Sequence, residues 1–343
     1  MGKKDIQAHE FLANNARFAD LCNYFLFDGR EIIAPDELKE QDTTEIFSAF
    51  GISKKELHLQ KWRDLLKHVV VKSTNHCTYI IIGVENQSEI HYAMPIKNMI
   101  YDAINYGRQT KEAAKMHKKK KDTKNNAEFL TGFTKEDKLT PVITLTVYWG
   151  YEEWDAPRSL HEMLRISDES VLQYVSDYKL NLIAPCEISD FSKFKTSLGP
   201  VLQLLRVAND EDAMGNLITT NLAFRELENE AVETINVFAG LNIQPDEEKE
   251  VTDMCKAWDD HYRSGVQNGI QQGIQRGIQQ GIQRGIQQGI QQGIQQGIQQ
   301  GEHAKRIEAI ENMILLGLTK EKILTKYSEE EYEEAEKAML VET

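Results

Sequence analysis

Two neighbouring apolar segments joined by a short polar stretch predict a β-hairpin, which constrains the fold more than any other part of the sequence. Residues 79–84 form an apolar run suited to a buried strand, and the run turns polar at residues 85–87. Residues 64–72 become β-branched toward their end, and residues 73–77 supply the Ser, Thr and Asn that favour turns. We therefore expect two antiparallel strands in the core of the fold.

The register of this hairpin places two acidic residues at its open end. If the chain reverses near Asn75, Asp64 lies 11 residues before the reversal and Glu85 lies 10 after it. Antiparallel pairing would set them almost opposite each other, with side chains within about 5 Å. Gln87 shares the face of Glu85 because side chains alternate along a strand. Two carboxylates and an amide oxygen suit Mg²⁺; alternatively, Asp64 and Glu85 are solvated residues at strand ends.

The remaining sequence up to residue 245 indicates helices and further strands. Apolar spacing predicts helices over residues 8–27 and 93–109 and helical structure within 191–241. Strands are expected over residues 142–148 and 180–184. Strands separated by helices, beside a hairpin, indicate an α/β fold with a mixed sheet flanked by helices.

Four segments carry a family resemblance: FADLCNYFLFDG (18–29), VENQSEIHYAMPIKNMIYDAINY (84–106), PVITLTVYWG (141–150) and DAPRSLHEML (155–164). They resemble the Rpn family of recombination-promoting nucleases, also called YhgA-like putative transposases, within the PD-(D/E)XK nuclease superfamily. The resemblance extends over residues 5–240. It implies a restriction-endonuclease-like core with a mixed sheet and a metal-dependent activity on DNA.

The resemblance also implies roles for individual residues. Asp64 and Glu85 would bind the metal, and Glu85 and Gln87 would be the two ends of the E-x-K element. Gln87 departs from this element, which most often ends in Lys, although relatives of this kind often carry Gln there. Gln87 would position water or hold the metal through its amide oxygen, and a lysine from elsewhere, such as Lys97 or Lys72, could replace the missing cation.

The leading hypothesis is therefore a Mg²⁺-dependent DNA endonuclease associated with recombination or mobile DNA. The alternative is a catalytically weakened, DNA-associated or self-assembling protein that retains the nuclease fold, which the residue at position 87 and a C-terminal repeat would suit. A transposase with three acids on an RNase H-like fold is disfavoured because the hairpin ends in Glu-x-Gln.

Three further residues are candidates for accessory roles in this site. Asp20, within the first predicted helix, either adds an acid to the site or lies on an exposed face. Lys97, Tyr101 and Asn105 recur four residues apart and therefore lie on adjoining turns of a helix. We expect Lys97 and Tyr101, together with Asn105, to form a polar rim for a ligand.

A cluster of lysines is the candidate contact to DNA. The net charge of −14 argues against a general nucleic-acid coat, but a nuclease needs only a local basic surface. Such a surface occurs in a Lys-rich insertion over residues 111–140, and cations there could contact phosphates. The alternative is a solvated loop that keeps the insertion soluble. The lysine cluster consists of Lys118, Lys119, Lys120 and Lys121.

The predicted domains are a nuclease domain over residues 1–245, a linker and repeat over 246–302, and a short helical tail over 303–343. The repeat has glycine at every fourth position from Gly265 to Gly301. Ten glycines cost a helix on the order of 10 kcal/mol relative to alanine. The repeat is thus a weakly stable helix, a disordered tether or a rod for homo-oligomerisation.

The rest of the composition favours a cytoplasmic location. No apolar stretch approaches the roughly 18 residues of a membrane span, and we expect no membrane partner. The four cysteines are far apart, so free thiols are expected and a zinc site is not. They are Cys22, Cys77, Cys186 and Cys255.

Overall fold

The computed structural model describes residues 2–40, 65–73 and 76–341 and divides the chain into two compact units. The first unit is Met1–Tyr262 and the second is Arg263–Thr343. Within the described residues, helices and strands alternate along the first unit, whereas the second unit is helical. The expected α/β fold with a C-terminal helical extension is confirmed.

A five-stranded mixed sheet forms the centre of the first unit. The central strand β3 pairs antiparallel with β2 and parallel with β4. Strand β1 pairs antiparallel with β2 at one edge, and β5 pairs parallel with β4 at the other. The strands, in the spatial order of the sheet, are β1 (Lys39–Glu40), β2 (Leu65–Ser73), β3 (His76–Gln87), β4 (Val142–Tyr148) and β5 (Asn181–Ile183).

The predicted hairpin is confirmed, and its register agrees with the predicted one. Pairing runs from Ser73 opposite His76 to Leu65 opposite Val84. β3 is buried on both faces of the sheet, and it carries apolar residues on both. Ile81, Ile82 and Val84 are each at most 1% exposed. Asp64 lies outside the described residues.

Helices cover the sheet and complete the first unit. They are α1 (Lys3–Ala13), α2 (Asn15–Phe27), α3 (Met94–Lys120), α4 (Asn126–Thr131), α5 (Glu169–Leu172), α6 (Leu198–Leu205), α7 (Glu211–Thr220) and α8 (Asn229–Ala239). A small antiparallel pair, β6 (Leu227–Glu228) and β7 (Val251–Thr252), flanks α8.

The two faces of the sheet pack against different helices. Val69, Ile82 and Val147 lie in the main core with residues of α1, α2, α6 and α8. The opposite face carries Ile81, which packs with Ile104 of α3. Side chains alternate along β3, so the odd-numbered residues from 81 to 87 face the α3 side.

The single helix expected over residues 8–27 is wrong, because the chain breaks at Asn14. Asn14 is extended, and its side-chain oxygen accepts a hydrogen bond from the backbone nitrogen of Ala16 at 2.9 Å. Asparagine favours such caps because its short side chain competes for backbone groups. The buried Lys67 of β2 fills the break, where its Nζ donates to the carbonyl oxygen of Ala13 at 2.7 Å.

The glycine repeat lies in a long helix, α9 (Met254–Leu315). Its first turns belong to the main core, because Met254 is fully buried and Trp258 is 7% exposed. The repeat isoleucines from Ile270 to Ile298 are between 56% and 60% exposed. Beyond the repeat, α9 packs with α10 (Lys320–Ile323) and α11 (Glu329–Val341) around Ile310.

Among the described residues, no helix combines the length and the apolar character that crossing a membrane requires. Cys22, Cys186 and Cys255 are free thiols, in agreement with their separation in the sequence. Burial raises the pKa of the Cys22 thiol far above its usual range. This thiol is therefore a packing residue rather than a nucleophile.

Candidate active site

Glu85 is a buried carboxylate near the end of the central strand. It is 1% exposed and lies on the face of β3 that α3 covers. A buried carboxylate is costly unless it has a cationic partner. Lys97 provides that partner, since its Nζ lies 2.8 Å from Oε2 of Glu85. The sheet and α3 together therefore create a charged pair in the interior.

Lys97 belongs to the first turns of α3, at the edge of the interior. Its side chain is 18% exposed, so its ammonium lies between the interior and solvent. The same Nζ lies 5.9 Å from the centroid of the Tyr101 ring, one turn further along the helix. The structure thus brings together Glu85, Lys97 and Tyr101, three of the predicted site residues.

The other candidate lysine, Lys72, lies too far away to substitute for Lys97. It pairs with Cys77 near the hairpin turn. Cys77 precedes Glu85 by eight residues along the same strand, which corresponds to about 27 Å at the rise of a β-strand. Of the two lysines that the sequence offered, Lys97 contacts Glu85, whereas the backbone of Lys72 lies at the other end of the hairpin.

Gln87 lies two residues beyond Glu85 and is partly buried at the end of β3. Its Nε2 donates to the carbonyl oxygen of Asn86 at 2.8 Å. Asn86 points to the other face, where its Oδ1 accepts from Nε1 of Trp149 at 2.9 Å. These bonds fix the strand end, and the first of them engages the nitrogen of the Gln87 amide rather than its oxygen.

Asn98 is a site residue that the sequence reasoning missed. It is fully buried, and its Nδ2 donates to Oγ1 of Thr146 at 2.9 Å. Thr146 is the strand partner of Glu85, so the Asn98 amide lies beside the charged pair. Within the described residues, Oδ1 of Asn98 has no hydrogen-bond partner. A buried acceptor of this kind calls for an ordered water or an ion.

Asp102, also missed, joins α3 to the sheet one turn further on. It is 8% exposed and accepts hydrogen bonds from Oγ1 of Thr144 and from the hydroxyl of Tyr178, both at 2.6 Å. Asn98, Asp102 and the buried Asn105 recur at spacings of four and three, which places them on one helix face. That spacing of polar residues was the signal in the sequence.

Asp20 does not lie with Glu85. Its carboxylate accepts hydrogen bonds from the backbone nitrogens of Lys195 and Thr196, at 2.9 Å and 2.8 Å, and from Oγ1 of Thr196 at 2.7 Å. Its helix, α2, packs on the sheet face opposite α3. Asp20 therefore holds together α2 and the segment that leads into α6.

No three His, Cys, Asp or Glu side chains of the described residues are grouped as a metal site would require. Oxygen atoms on this part of β3 and α3 include the Glu85 carboxylate, the amide oxygen of Gln87 two residues along the strand, and Oδ1 of Asn98, whose amide nitrogen donates to the strand partner of Glu85. Oxygen donors are those that Mg²⁺ prefers, and the buried Asn98 oxygen lacks a donor. The donor atoms of these described residues are therefore of the chemical kind that a hard divalent cation binds.

The lysine cluster lies at the far end of α3, in a segment that we call the arm and define as residues 108–140. The four lysines are exposed, and α3 ends at Lys120. His117 closes the arm at this end: its Nδ1 lies 2.7 Å from Oδ1 of Asp122 and its Nε2 lies 2.9 Å from Oδ2 of Asp137. Asp137 also accepts a hydrogen bond from the backbone nitrogen of Thr134 at 2.7 Å.

The protection of the arm from amide hydrogen exchange is expected to fall as the pH rises from 6 to 8.5. Hydrogen bonds to Asp122 and Asp137 raise the pKa of His117 above its usual value. Stabilisation from His117 is therefore full below about pH 6.5 and is lost as the pH rises through the raised pKa. Exchange in residues 121–140, corrected for intrinsic rates, measures this change.

The matched control for the arm is His117→Gln, which should remove the pH dependence. The hydrogen bond to His117 lowers the pKa of Asp122. Hydrogen bonds to Thr134 and then to His117 lower the pKa of Asp137. Their contribution is lost only at acidic pH, well outside the tested interval. Equal protection of the wild-type arm at both pH values would show that His117 does not hold the arm.

Comparison with known families gives one match. Residues 52–233, more than half of the chain, match the family described as "Putative transposase, YhgA-like". The matched segment contains Glu85, Gln87, Lys97 and the lysine cluster, whereas Asp20 lies before it. Neither the curated proteins nor the solved structures give a match.

Proposed function

This chain belongs to the family of YhgA-like putative transposases, and we propose that it is a divalent-metal-dependent endonuclease that hydrolyses phosphodiester bonds in DNA. The family description associates the chain with mobile DNA. The resemblance to PD-(D/E)XK nucleases suggests the type of reaction. The observation that carries the proposal is the Glu85–Lys97 pair, which puts a buried acid and a cation at the end of the central strand.

Asp64 supplies the second carboxylate of the proposed site. It directly precedes Leu65, whose strand partner is Val84. The hairpin arithmetic of the sequence, with a reversal near Asn75, is the reason to expect Asp64 almost opposite Glu85. Two carboxylates at this position would repel each other without a cation between them. This need for a cation supports Mg²⁺, or another divalent ion, as the cofactor.

A bound divalent cation would polarise a phosphoryl oxygen and lower the pKa of the attacking water. Asp64 and Glu85 would hold it through their carboxylates, and the Oδ1 of Asn98 would bind it directly or through water. Gln87 would position the attacking water or add its amide oxygen to the site. The hydrogen bonds of Asn98 and Asp102 to β4 would keep α3, and with it Lys97, at a fixed distance from Glu85.

Lys97 would supply the cationic group that Gln87 lacks. Its ammonium is close enough to Glu85 to stand beside the phosphate undergoing attack, and its long side chain can shift by a few ångströms. There it would stabilise the negative charge that develops on the phosphoryl oxygens. Before a cation binds, the same ammonium compensates the buried charge of Glu85.

The experiment that tests the proposal is a divalent-ion titration of nicking on supercoiled plasmid. The wild-type chain should nick plasmid with Mg²⁺ or Mn²⁺ and be inactive in chelator. The Asp64→Ala variant should remain folded, because loss of one of two like charges relieves repulsion in the metal-free protein. It should also lose the nicking activity.

Two results would contradict the proposal. One is a wild-type chain that nicks with no divalent ion, and the other is an Asp64→Ala variant that nicks like wild type. A folded wild-type chain that binds DNA but cuts at no metal concentration would favour the second candidate function. In that function the chain is a DNA-associated protein that retains the nuclease fold and has lost turnover, an interpretation that glutamine at position 87 supports.

A further inference from the structure

The arm concentrates positive charge in an otherwise acidic protein. Residues 108–140 contain ten Lys and Arg against five Asp and Glu, a net charge of +5. The whole chain has a net charge of −14, which leaves −19 on all other residues. A local basic surface on an acidic protein directs polyanions to one place and keeps them from the rest.

The arm is braced along its length. At its base, Nε2 of Gln109 donates to the carbonyl oxygen of Thr140 at 3.0 Å, and the Thr140 nitrogen donates to Oε1 of Gln109 at 2.7 Å. In the middle, Gly132 has a φ of +66° and approaches Ala114 so closely that a Cβ at Gly132 would lie 2.5 Å from the Ala114 Cβ. With His117 at its end, the arm presents its surface in a defined place.

The lysine cluster is available for a ligand, unlike Lys124 of the arm. Lys124 pairs with Glu136 at 3.0 Å, whereas no carboxylate of the described residues lies within salt-bridge distance of the lysine cluster. Apolar side chains are exposed nearby in sequence: on α4, Phe129 is 76% and Leu130 is 82% exposed. Four exposed cations, followed along the chain by two exposed apolar side chains, favour a partner that is anionic and offers apolar surface.

The distance from the arm to the charged pair distinguishes between such partners. One continuous helix, α3, carries both Lys97 and Lys118, which are 21 residues apart. This separation corresponds to about 32 Å along the helix axis. One turn of duplex DNA measures about 34–36 Å. A duplex running along α3 would therefore present the same backbone near Glu85 and again at the lysine cluster.

We propose that the arm is a duplex-DNA-binding element that grips the backbone one helical turn from the phosphate at Glu85. The lysine cluster contacts phosphates, and Phe129 and Leu130 contact the minor groove, where apolar side chains insert between base steps. The spacing of one helical turn rests on the proposed endonuclease function, because that function places a phosphate at Glu85. A membrane surface with anionic lipids also attracts basic and apolar residues, but it has no repeat that matches α3.

The test compares two full-length variants with matched loss of charge. The arm variant carries Lys118→Gln, Lys119→Gln, Lys120→Gln and Lys121→Gln. The control variant replaces four exposed lysines of the second unit by glutamine: Lys305, Lys322, Lys326 and Lys337. Binding to a 30-base-pair duplex is measured in chelator over a range of salt concentrations, so that no cleavage occurs. Thermal melting confirms that both variants are folded.

The arm variant should bind the duplex at least about tenfold more weakly than wild type, with a salt dependence reduced by about 0.9 for each phosphate that the lysines no longer neutralise. The control should bind like wild type. A Phe129→Ala, Leu130→Ala variant should lose affinity without a change in the salt dependence, since it removes no charge. These three results together would support the proposal.

Three results would overturn it. Unchanged binding by the arm variant would exclude the arm as a DNA-binding element, and an equal loss in the control would show a general effect of charge. Binding of wild type to phosphatidylserine vesicles, abolished in the arm variant while DNA binding persists, would assign the arm to membranes. Nicking decides the proposed function separately: an arm that binds DNA in a chain that never nicks refutes only the endonuclease.

Discussion

Replacing Glu85 by glutamine is expected to lower divalent-dependent nicking by at least about a thousandfold, which corresponds to about 4 kcal/mol of transition-state stabilisation. Glutamine keeps the size of the side chain and one oxygen, but it removes the negative charge that would hold the cation. The site would retain Asp64, Gln87 and Asn98 as oxygen donors. These are too weak to replace a buried carboxylate as a ligand for Mg²⁺. Plasmid nicking over a wide range of Mg²⁺ measures the loss.

The same substitution also affects stability, and a second variant separates the two effects. Glu85→Gln leaves the Lys97 ammonium without its carboxylate, at a cost of about 1–3 kcal/mol. The double variant Glu85→Gln, Lys97→Met should regain stability, because it leaves no unpaired charge. It should remain inactive. A folded Glu85→Gln protein with wild-type nicking would remove Glu85 from the mechanism, whatever its melting temperature.

The hairpin was predictable from sequence because its signals are local. The apolar run of the second strand ends at Glu85, and residues that favour turns lie between the two strand segments. Antiparallel pairing then has one register that buries both strands. The structure has that register, from Ser73 opposite His76 to Leu65 opposite Val84. Alternation places Glu85 on the same face of β3 as Ile81, and the structure shows that α3 covers this face.

The contacts of α3 were not predictable in the same way. Lys97 and Lys72 are equivalent in sequence as substitutes for a missing lysine, and only the packing of α3 brings Lys97 to Glu85. Asn98 and Asp102 have the composition of a solvated face, yet they are buried against Thr146 and Thr144. Burial of polar residues depends on partners from distant segments, which a local pattern does not contain.

Local sequence patterns were also insufficient to predict where the helices break and where they continue. At the break at Asn14, the carbonyl oxygen of Ala13 accepts a hydrogen bond from Lys67, which is distant in sequence. The opposite occurs in the repeat, where α9 continues through ten glycines that weaken a helix individually. Helix propensity alone gave three alternatives for the repeat, and the structure contains the helix.

Replacing Lys97 by methionine is expected to lower nicking by about a hundredfold to a thousandfold, the usual cost of one group that stabilises transition-state charge. Methionine retains the apolar length of lysine and removes only the ammonium. Apparent Mg²⁺ affinity should rise in the same variant, because Lys97 and the cation compete for the Glu85 carboxylate. Lys305→Met, an exposed position in the second unit and outside the arm, is the matched control and should leave both quantities unchanged.

A lysine at position 87 should then rescue the loss, because Gln87 shares the face of Glu85 and lies two residues from it. The double variant Lys97→Met, Gln87→Lys should nick at least about ten times faster than Lys97→Met alone, which recovers about 1.4 kcal/mol. If Gln87 is instead a metal ligand, the new ammonium would repel the cation, and the double variant would be slower than the single one at every Mg²⁺ concentration. The rates of the four proteins, with wild type and Gln87→Lys included, form a double-mutant cycle. Additive losses in that cycle would show that Lys97 does not take the place of the lysine that position 87 lacks.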